Sequence, residues 1–450
     1  MQNIHDVASE RNSFTHFKEA VDFLENTSQH VFITGKAGTG KSTLLQYFRD
    51  STSKNVAVLA PTGVAALNVR GQTIHSFFRF KPDVTINTVD TMRLSSIRKK
   101  MYKKIEALII DEVSMVRADL LDCIDAFLRL YGKDPFAPFG GVQMILFGDL
   151  FQLPPVVTAK DREALAGIYD SPYFFDAKVL QHISFSYMEL EKIYRQKEED
   201  FVKILNAIRE NTAHQEDFNK LNQRCLPNFQ PQQGDFYIYL TTTNEMADAV
   251  NQAQLERLKT KPYHFEGEIT GEFEDRLLPT HFALDLKFQA QVMLLNNDPL
   301  GRWLNGSLGK VVSLIQDGEG QEMVEVELTN GERVEVKRFT WEMFRFFYNE
   351  KTQRLESESI GSFTQVPLKL AWAVTIHKSQ GMTFPKVVLD IGRGTFSHGQ
   401  IYVALSRCTT LNSLVLRKPI SQRHILMDQR VVRFMQAHQK NMLKVCEVSN

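Results

Sequence analysis

Short apolar runs rich in β-branched residues punctuate the first 190 positions: "HVFIT", "NVAVLA", "ALIID" and "VQMILFG", with segments of helical periodicity between them. Unbroken apolar runs mark strands covered on both faces, as parallel strands flanked by helices are. The pattern predicts an α/β wound sheet. It resumes after Asp235 in "DFYIYLTTTN", "AQVMLLNN", "LKLAWAVT", "KVVLDIG" and "NSLVLR", predicting a second α/β domain. Between them "LPNFQPQQGD", rich in Pro, Gln and Gly, reads as a junction, so the expected division is 1–225 and 226–450. Inside the second domain, from about Asn305 to Phe363, the period changes to two around an Asn-Gly turn, as in "EMVEVELTNGERVEVKRF". That predicts a small inserted β-barrel of SH3-like type. A smaller interruption, "FFRFKPDVTINTVD" from Phe77 to Asp90, reads as a projecting β-ribbon or loop.

Composition narrows the class without deciding it. At about 150 residues per domain, 450 residues accommodate roughly three domains. The 53 basic and 53 acidic residues balance, so a polyanionic partner would have to meet a local patch. Cys123, Cys225, Cys408 and Cys446 are too scattered for a metal quartet or a disulfide framework, and suggest a reducing compartment. Neither a signal peptide nor an apolar run long enough for a membrane helix is evident, so the expected location is cytoplasmic.

The chemistry begins with "VFITGKAGTGKST". Gly35 to Ser42 fits G-x-x-x-x-G-K-[ST] between an expected strand and an expected helix. Glycines let backbone N–H groups approach phosphate oxygens, the helix N-terminus adds its positive end, Lys41 reaches the outer phosphates and Ser42 can ligate Mg²⁺. Gly38, Thr39, Gly40 and Thr43 complete the cradle. Farther on, "ALIIDE" ends a strand in Asp111, suited to holding Mg²⁺, and Glu112, suited to polarising an attacking water. "FGDLFQLPPV" places Gln152 at the end of another strand, where it could sense a terminal phosphate or simply belong to a Pro-terminated turn.

"TGKAGTGKST", "APTGVAALNVRGQTIHSFF", "IIDEVSMV", "FGDLFQLPP", "LEKIYRQ", "VTIHKSQGMTF" and "YVALSRC" occur in the order of superfamily-one helicase motifs, and their wording resembles the Pif (petite integration frequency) helicases, relatives of the RecD-type enzymes. The resemblance spans about Thr34 to Arg407. It implies two RecA-like P-loop domains and ATP-driven, Mg²⁺-dependent 5′-to-3′ unwinding of DNA, quadruplexes among the structures such enzymes open, in a bacterial cytoplasm or nucleoid. It implies Arg195 and Arg407 as arginine fingers on the γ-phosphate, in keeping with the charge that phosphoryl transfer spreads over equatorial oxygens. It gives Gln380 to the ATP site and Tyr194 to adenine stacking, although a core tyrosine reads almost as well. The glutamine that relatives carry about seventeen residues before the loop is missing from "NSFTHFKEAVDFLENTSQH" until Gln29, which leaves adenine selectivity open.

The same resemblance implies a single-strand track: Pro61, Thr62, Gly63, His75, Ser76 and Phe77 in the first domain, Thr375, His377, Lys378 and Ser379 in the second. Small hydroxyls, amides and single charges suit phosphates without reading sequence. Phe77 and Phe78 read as core as readily as stacking faces. "RLSSIRKKMYKK" carries six basic residues and no acid, an electrostatic guide or a solvated helix face. The 77–90 ribbon would be a wedge by analogy. The barrel would clamp a strand or stiffen the domain, and Glu325, Glu327 and Glu335 disfavour phosphate on their face. The expected partners are single-stranded and forked DNA, bound by a monomer whose pairing on DNA is left open. A nucleotide-gated binding switch and an RNA helicase are the alternatives.

Overall fold

The computed structural model describes residues 18–192, 198–232, 234–316, 322–392, 394–395, 397–439 and 442–445. The four apolar runs of the first lobe form strands β1 (His30–Gly35), β2 (Val56–Ala60), β4 (Ala107–Ile110) and β5 (Gln143–Phe147), joined by β3 (Gln72–Thr73) and β6 (Phe185–Leu190). All pair in parallel, in the order β6-β1-β5-β4-β2-β3. Alternate side chains serve opposite faces. Val31 and Ile33 pack with Leu44, Leu45 and Phe48 of the helix Lys41–Ser51, while Phe32 faces the aromatic layer under the helix Ala118–Tyr131.

The region expected to be a β-ribbon or loop contains no strand; it is a loop, residues 79–85, between two short helices. These are Ile74–Phe78 and Ile86–Thr91, the second started by a capping box between Thr85 and Thr88. Phe77, Phe78, Phe80 and Val89 are all buried in the first-lobe core. Buried together in that core, they leave no ribbon projecting.

The second lobe has a parallel sheet of β7 (Tyr237–Thr241), β18 (Ala373–Thr375), β19 (Lys386–Asp390) and β20 (Leu414–Leu416), in the order β18-β7-β19-β20. Its core also takes Phe201, Ile204, Leu205 and Ile208 from the helix Glu199–Arg209 and Phe218 and Leu221 from Gln215–Asn222. The crossing between lobes therefore lies between Leu190 and Glu199, upstream of the expected 225/226. "LPNFQPQQGD" lies along the second sheet instead, with the Leu226 N–H donating to the Leu416 carbonyl at 2.9 Å.

Between β7 and β18 runs an antiparallel insertion: β8 (Tyr263–Glu266), β9 (Glu268–Gly271), β10 (Ala283–Leu286), β11 (Gln291–Leu294), β12 (Leu308–Gln316), β13 (Glu322–Leu328), β14 (Arg333–Val336), β15 (Phe339–Asn349), β16 (Arg354–Gln365) and β17 (Leu368–Leu370). Strands β8, β10–β14 and β17 enclose one apolar core. The insertion starts well before the expected Asn305. The reason is β11: Val292 and Leu294 point into the insertion core while Met293 and Leu295 point into the second-lobe core. Buried on both faces, "QVML" lacks alternation and imitates a parallel strand.

The hairpin β15–β16 leaves this insertion and reaches the first lobe. Trp341 and Phe363 anchor its base in the second-lobe core, and Phe346, Tyr348 and Leu355 pack on the first-lobe core. Backbone N–H groups of Phe346 and Leu355 donate to Gln72 Oε1 at 3.3 Å and Asn55 Oδ1 at 2.7 Å. Part of the basic run is spent here: Lys100 pairs with Glu350 and Lys104 lies 5.5 Å from the Tyr348 ring. Finally the chain returns. The helix Gln429–Gln439 sets Phe434 against Phe32, Phe174, Phe175 and Tyr187, and β21 (Met442–Val445) pairs in parallel with β6, adding a seventh strand to the first sheet. No helix among the described residues is long and apolar enough to cross a membrane.

Candidate active site

The phosphate-type loop joins β1 to the helix Lys41–Ser51, with Gly38 at φ 81° and Gly40 at φ 87°, left-handed values that exclude side chains without strain. Thr39 is buried, its hydroxyl donating to the Lys36 carbonyl at 3.0 Å, while Ser42 and Thr43 are exposed at the helix start. Lys41 Nζ donates to the carbonyls of Gly35 (2.7 Å) and Lys36 (3.1 Å). Burial pushes the Lys41 ammonium below its ordinary range, and Asp149, Glu112 and Asp111 oppose that shift.

Beyond β4, the Glu112 N–H donates to Asp111 Oδ1 at 2.9 Å, and Glu112 has φ 50°, a left-handed value uncommon outside glycine. Burial raises the proton affinity of both carboxyls, and for Glu112 the neighbouring Asp111 charge adds to it. Gly148 lies directly beside this turn, where a Cβ would come within 3.0 Å of Val113 Cγ1. Asp111 and Ser42 offer hard oxygen donors of the sort Mg²⁺ takes in small number, the remainder being water and substrate phosphate.

The second lobe closes over these groups. Gln380 Nε2 donates to Glu112 Oε2 at 3.0 Å and to Gln152 Oε1 at 3.2 Å, so one amide from the second lobe ties two first-lobe side chains together. The Ala37 N–H, inside the phosphate-type loop, donates to Tyr402 Oη at 3.0 Å, and His398 Nε2 meets the Leu150 carbonyl at 2.9 Å. Arg407 is 1% exposed and donates to the carbonyls of Val403, Ser379 and Met382 and to Ser406 Oγ. Its positive charge still acts on Glu112, lowering the proton affinity that burial raises. Tyr194 and Arg195 lie outside the described residues.

Sequence reasoning missed Arg209, Tyr402 and His398, and placed Gly148 and Asp149 at the mouth of the strand without giving Asp149 a role. Arg209 Nη2 and Asp149 Oδ1 are 3.0 Å apart, a salt bridge whose side chains are 4% and 0% exposed. Asp149 sits in the quoted "FGDLFQLPP", which was a signal; nothing in the local sequence of "ILNAIREN" distinguishes Arg209 from a surface arginine.

The expected strand contacts divide by exposure. Ser76 and Lys378 are exposed, and Pro61, Thr62, Gly63, His75 and His377 are half-buried. Thr62 caps the helix Gly63–Asn68 through the Ala65 N–H at 3.3 Å. Phe77 is no stacking face: it is 4% exposed and packs against Phe78, Tyr102 and Phe346. Thr375 and Ser379 are buried too, Thr375 Oγ1 accepting from the Lys378 N–H and Ser379 Oγ donating to the Ile376 carbonyl. Their hydroxyls shape the loop that presents Lys378.

Comparison with known proteins decides the lineage. The PIF1-like helicase family model matches residues 9–219, and that of the UvrD-like helicase C-terminal domain matches residues 370–415. The Bdellovibrio bacteriovorus ATP-dependent DNA helicase Pif1 is 30% identical over 92% of this chain and 90% of its own length. The chain belongs to the PIF1-like helicase family. The human ATP-dependent DNA helicase PIF1 is 33% identical over 86% of this chain, which spans 58% of the length of that longer relative. Bacteroides Pif1 in complex with ADP-AlF4 superposes with a TM-score of 0.87 at 36% identity, covering 94% of this chain and 96% of that one. Bound to single-stranded DNA, the Bacteroides protein gives 0.66 at 37% identity over the same shares.

Proposed function

We propose that the protein is an ATP-dependent DNA helicase that translocates 5′ to 3′ on single-stranded DNA, built of two RecA-like lobes with an SH3-like insertion in the second. The observation that carries this reading is the Gln380 amide, which spans the cleft and holds both the base candidate Glu112 and the sensor candidate Gln152. A lobe interface that includes the hydrolytic groups makes hydrolysis depend on lobe position, and lobe position is what moves along a strand.

In this reading Lys41 and the backbone N–H groups of the loop Gly38 to Ser42 bind the phosphates of ATP, with Thr43 next in line. Glu112 accepts a proton from the attacking water as the water oxygen bonds to the γ-phosphorus. The bond from that phosphorus to the bridging oxygen breaks, leaving ADP and phosphate. Burial of Glu112 strengthens it as a base. Ser42 and Asp111 would hold Mg²⁺, which supplies positive charge to the phosphate oxygens. Arg407, with Arg195, stabilises the equatorial charge, a contribution of roughly 10³ to 10⁵ in related enzymes. Tyr194 stacks on the adenine. Loss of the γ-phosphate frees Gln152 and Gln380, and the lobes separate. The Bacteroides structures with single-stranded DNA score 0.66 and 0.67, the second with ADP-AlF3 also bound, against 0.87 with ADP-AlF4 and 0.85 unliganded, so a second arrangement goes with the strand.

Lys378 and Ser76, exposed on different lobes, lead the strand contacts, with Pro61, Thr62, Gly63, His75 and His377 beside them. The test is strand separation on matched duplexes. Unwinding from a 5′ tail that stops in Lys41→Ala while single-strand binding survives supports the reading. Unwinding from 3′ tails alone overturns the polarity, and faster movement on an RNA tail overturns the substrate. Adding a quadruplex to the 5′-tailed set tests that structure in the same assay.

A further inference from the structure

We propose that Arg209 is a positioning residue for hydrolysis: from the second lobe it grips Asp149 and, through Asp149, sets the Gln152 side chain. The proposal rests on the hydrolytic reading above. Arg209 ends the helix Glu199–Arg209, whose Phe201, Ile204, Leu205 and Ile208 are fixed in the second-lobe core, so its guanidinium moves with that lobe. Asp149 follows β5 and moves with the first. Besides the salt bridge to Arg209 Nη2, Asp149 Oδ1 accepts the Phe151 N–H at 3.2 Å and Oδ2 accepts Gln152 Nε2 at 3.3 Å, while the Asp149 carbonyl accepts the Gln152 N–H at 2.9 Å. One residue therefore holds both ends of Gln152, its side-chain amide by the carboxylate and its N–H by the backbone carbonyl. The guanidinium carbon stacks 4.2 Å from the Phe151 ring centroid, fixing the same turn from its other side.

Two features distinguish this from a fold-stabilising pair. Charges this deeply buried are costly to desolvate, and apolar residues of like volume often stabilise a protein as well. Arg209 Nε is also buried without a hydrogen-bond partner among the described residues, so the guanidinium is placed for one directed contact instead of being fully satisfied. Asp149 in turn lies within electrostatic reach of Lys41. When the lobes part, Asp149 loses its counter-charge, and the turn bearing Gln152 loses both its salt bridge and its stacking partner.

The experiment measures ATP hydrolysis at saturating single-stranded DNA together with affinity for a fluorescent ADP. Arg209→Met should lower kcat roughly ten- to a hundredfold, the scale of a small misplacement of a reacting group, with ADP affinity unchanged. Since that variant leaves Asp149 buried and uncompensated, the charge-neutral pair Arg209→Met with Asp149→Asn is the second variant. It should recover the melting temperature but not kcat. In a Gln152→Ala background, Arg209→Met should cost nothing further, because both act through one side chain. Recovery of kcat in the neutral pair, unchanged kcat in Arg209→Met, or losses that multiply with Gln152→Ala would each overturn the positioning role while leaving the hydrolytic reading intact. A wild-type chain that hydrolyses no ATP would overturn both.

Discussion

Gln380→Ala removes two side-chain hydrogen bonds that cross the cleft. The bond to Glu112 Oε2, at 3.0 Å, ends on a carboxylate, and bonds to charged groups contribute about 1.5–3 kcal/mol. The bond to Gln152 Oε1, at 3.2 Å, is between neutral amides and contributes about 0.5–1.5 kcal/mol. Their sum, about 2–4.5 kcal/mol, is an upper bound, because Gln380 is half-buried and water can replace part of what the amide gives. The expected loss in kcat/KM for ATP at saturating single-stranded DNA is therefore about thirtyfold. Binding of ADP should hold, since the phosphate loop belongs to the first lobe. Gln380→Glu is the sharper control. It sets a second carboxylate against Glu112, which burial and Asp111 already make harder to ionise, so turnover should fall further than in the alanine variant. A loss under about threefold in Gln380→Ala, or a glutamate variant that outperforms it, would refute the claim that this amide couples lobe closure to hydrolysis.

Glu112→Gln should abolish turnover with nucleotide still bound; rapid hydrolysis in that variant excludes Glu112 as the base. Arg407→Ala should lose hydrolysis and also stability, since the Ser379, Met382 and Val403 carbonyls each lose a buried donor, at about 1–3 kcal/mol apiece before water intervenes. An unchanged melting temperature would show that Arg407 does not buttress the loop that carries Gln380. Phe434→Ala should destabilise the first lobe by about 2 kcal/mol, below the 3–5 kcal/mol of a fully buried phenylalanine because Phe434 is half-buried, and denaturant titration reads it directly.

The first sheet was legible because each of its main strands announces itself locally, as an unbroken apolar run ending in the residues that do chemistry. Lys41, Asp111, Glu112 and Gln152 lie at such strand ends, and the fold brings Glu112 and Gln152 to one Gln380 amide across more than 220 positions. What failed was legibility of burial. Phe77 lies in an aromatic-rich stretch that could face a base or a core, and the decision belongs to Tyr102 and Phe346, far away in sequence. In β11 the same ambiguity ran the other way, since a strand clamped between two cores has no polar face to show which sheet it joins. The lobe boundary went astray because Pro and Gln mark a loop without saying whether it links domains or skirts a sheet.

The return of the chain to β6 alters what the lobes can do. The first lobe is completed by Phe434 and β21, which come after the whole of the second lobe, so the second lobe is attached at both its ends. One attachment leaves the sheet beyond Leu190, whose backbone oxygen lies 2.7 Å from where a Cβ on Gly35 would sit; the other passes Asp428, whose N–H donates to His398, itself bonded to Leu150. Both therefore lie beside the phosphate loop or the turn bearing Gln152. A lobe attached at two points beside the nucleotide site, with Phe346 and Leu355 of its hairpin also resting on the first lobe, cannot shift without altering the cleft contacts at Gln380 and Arg209.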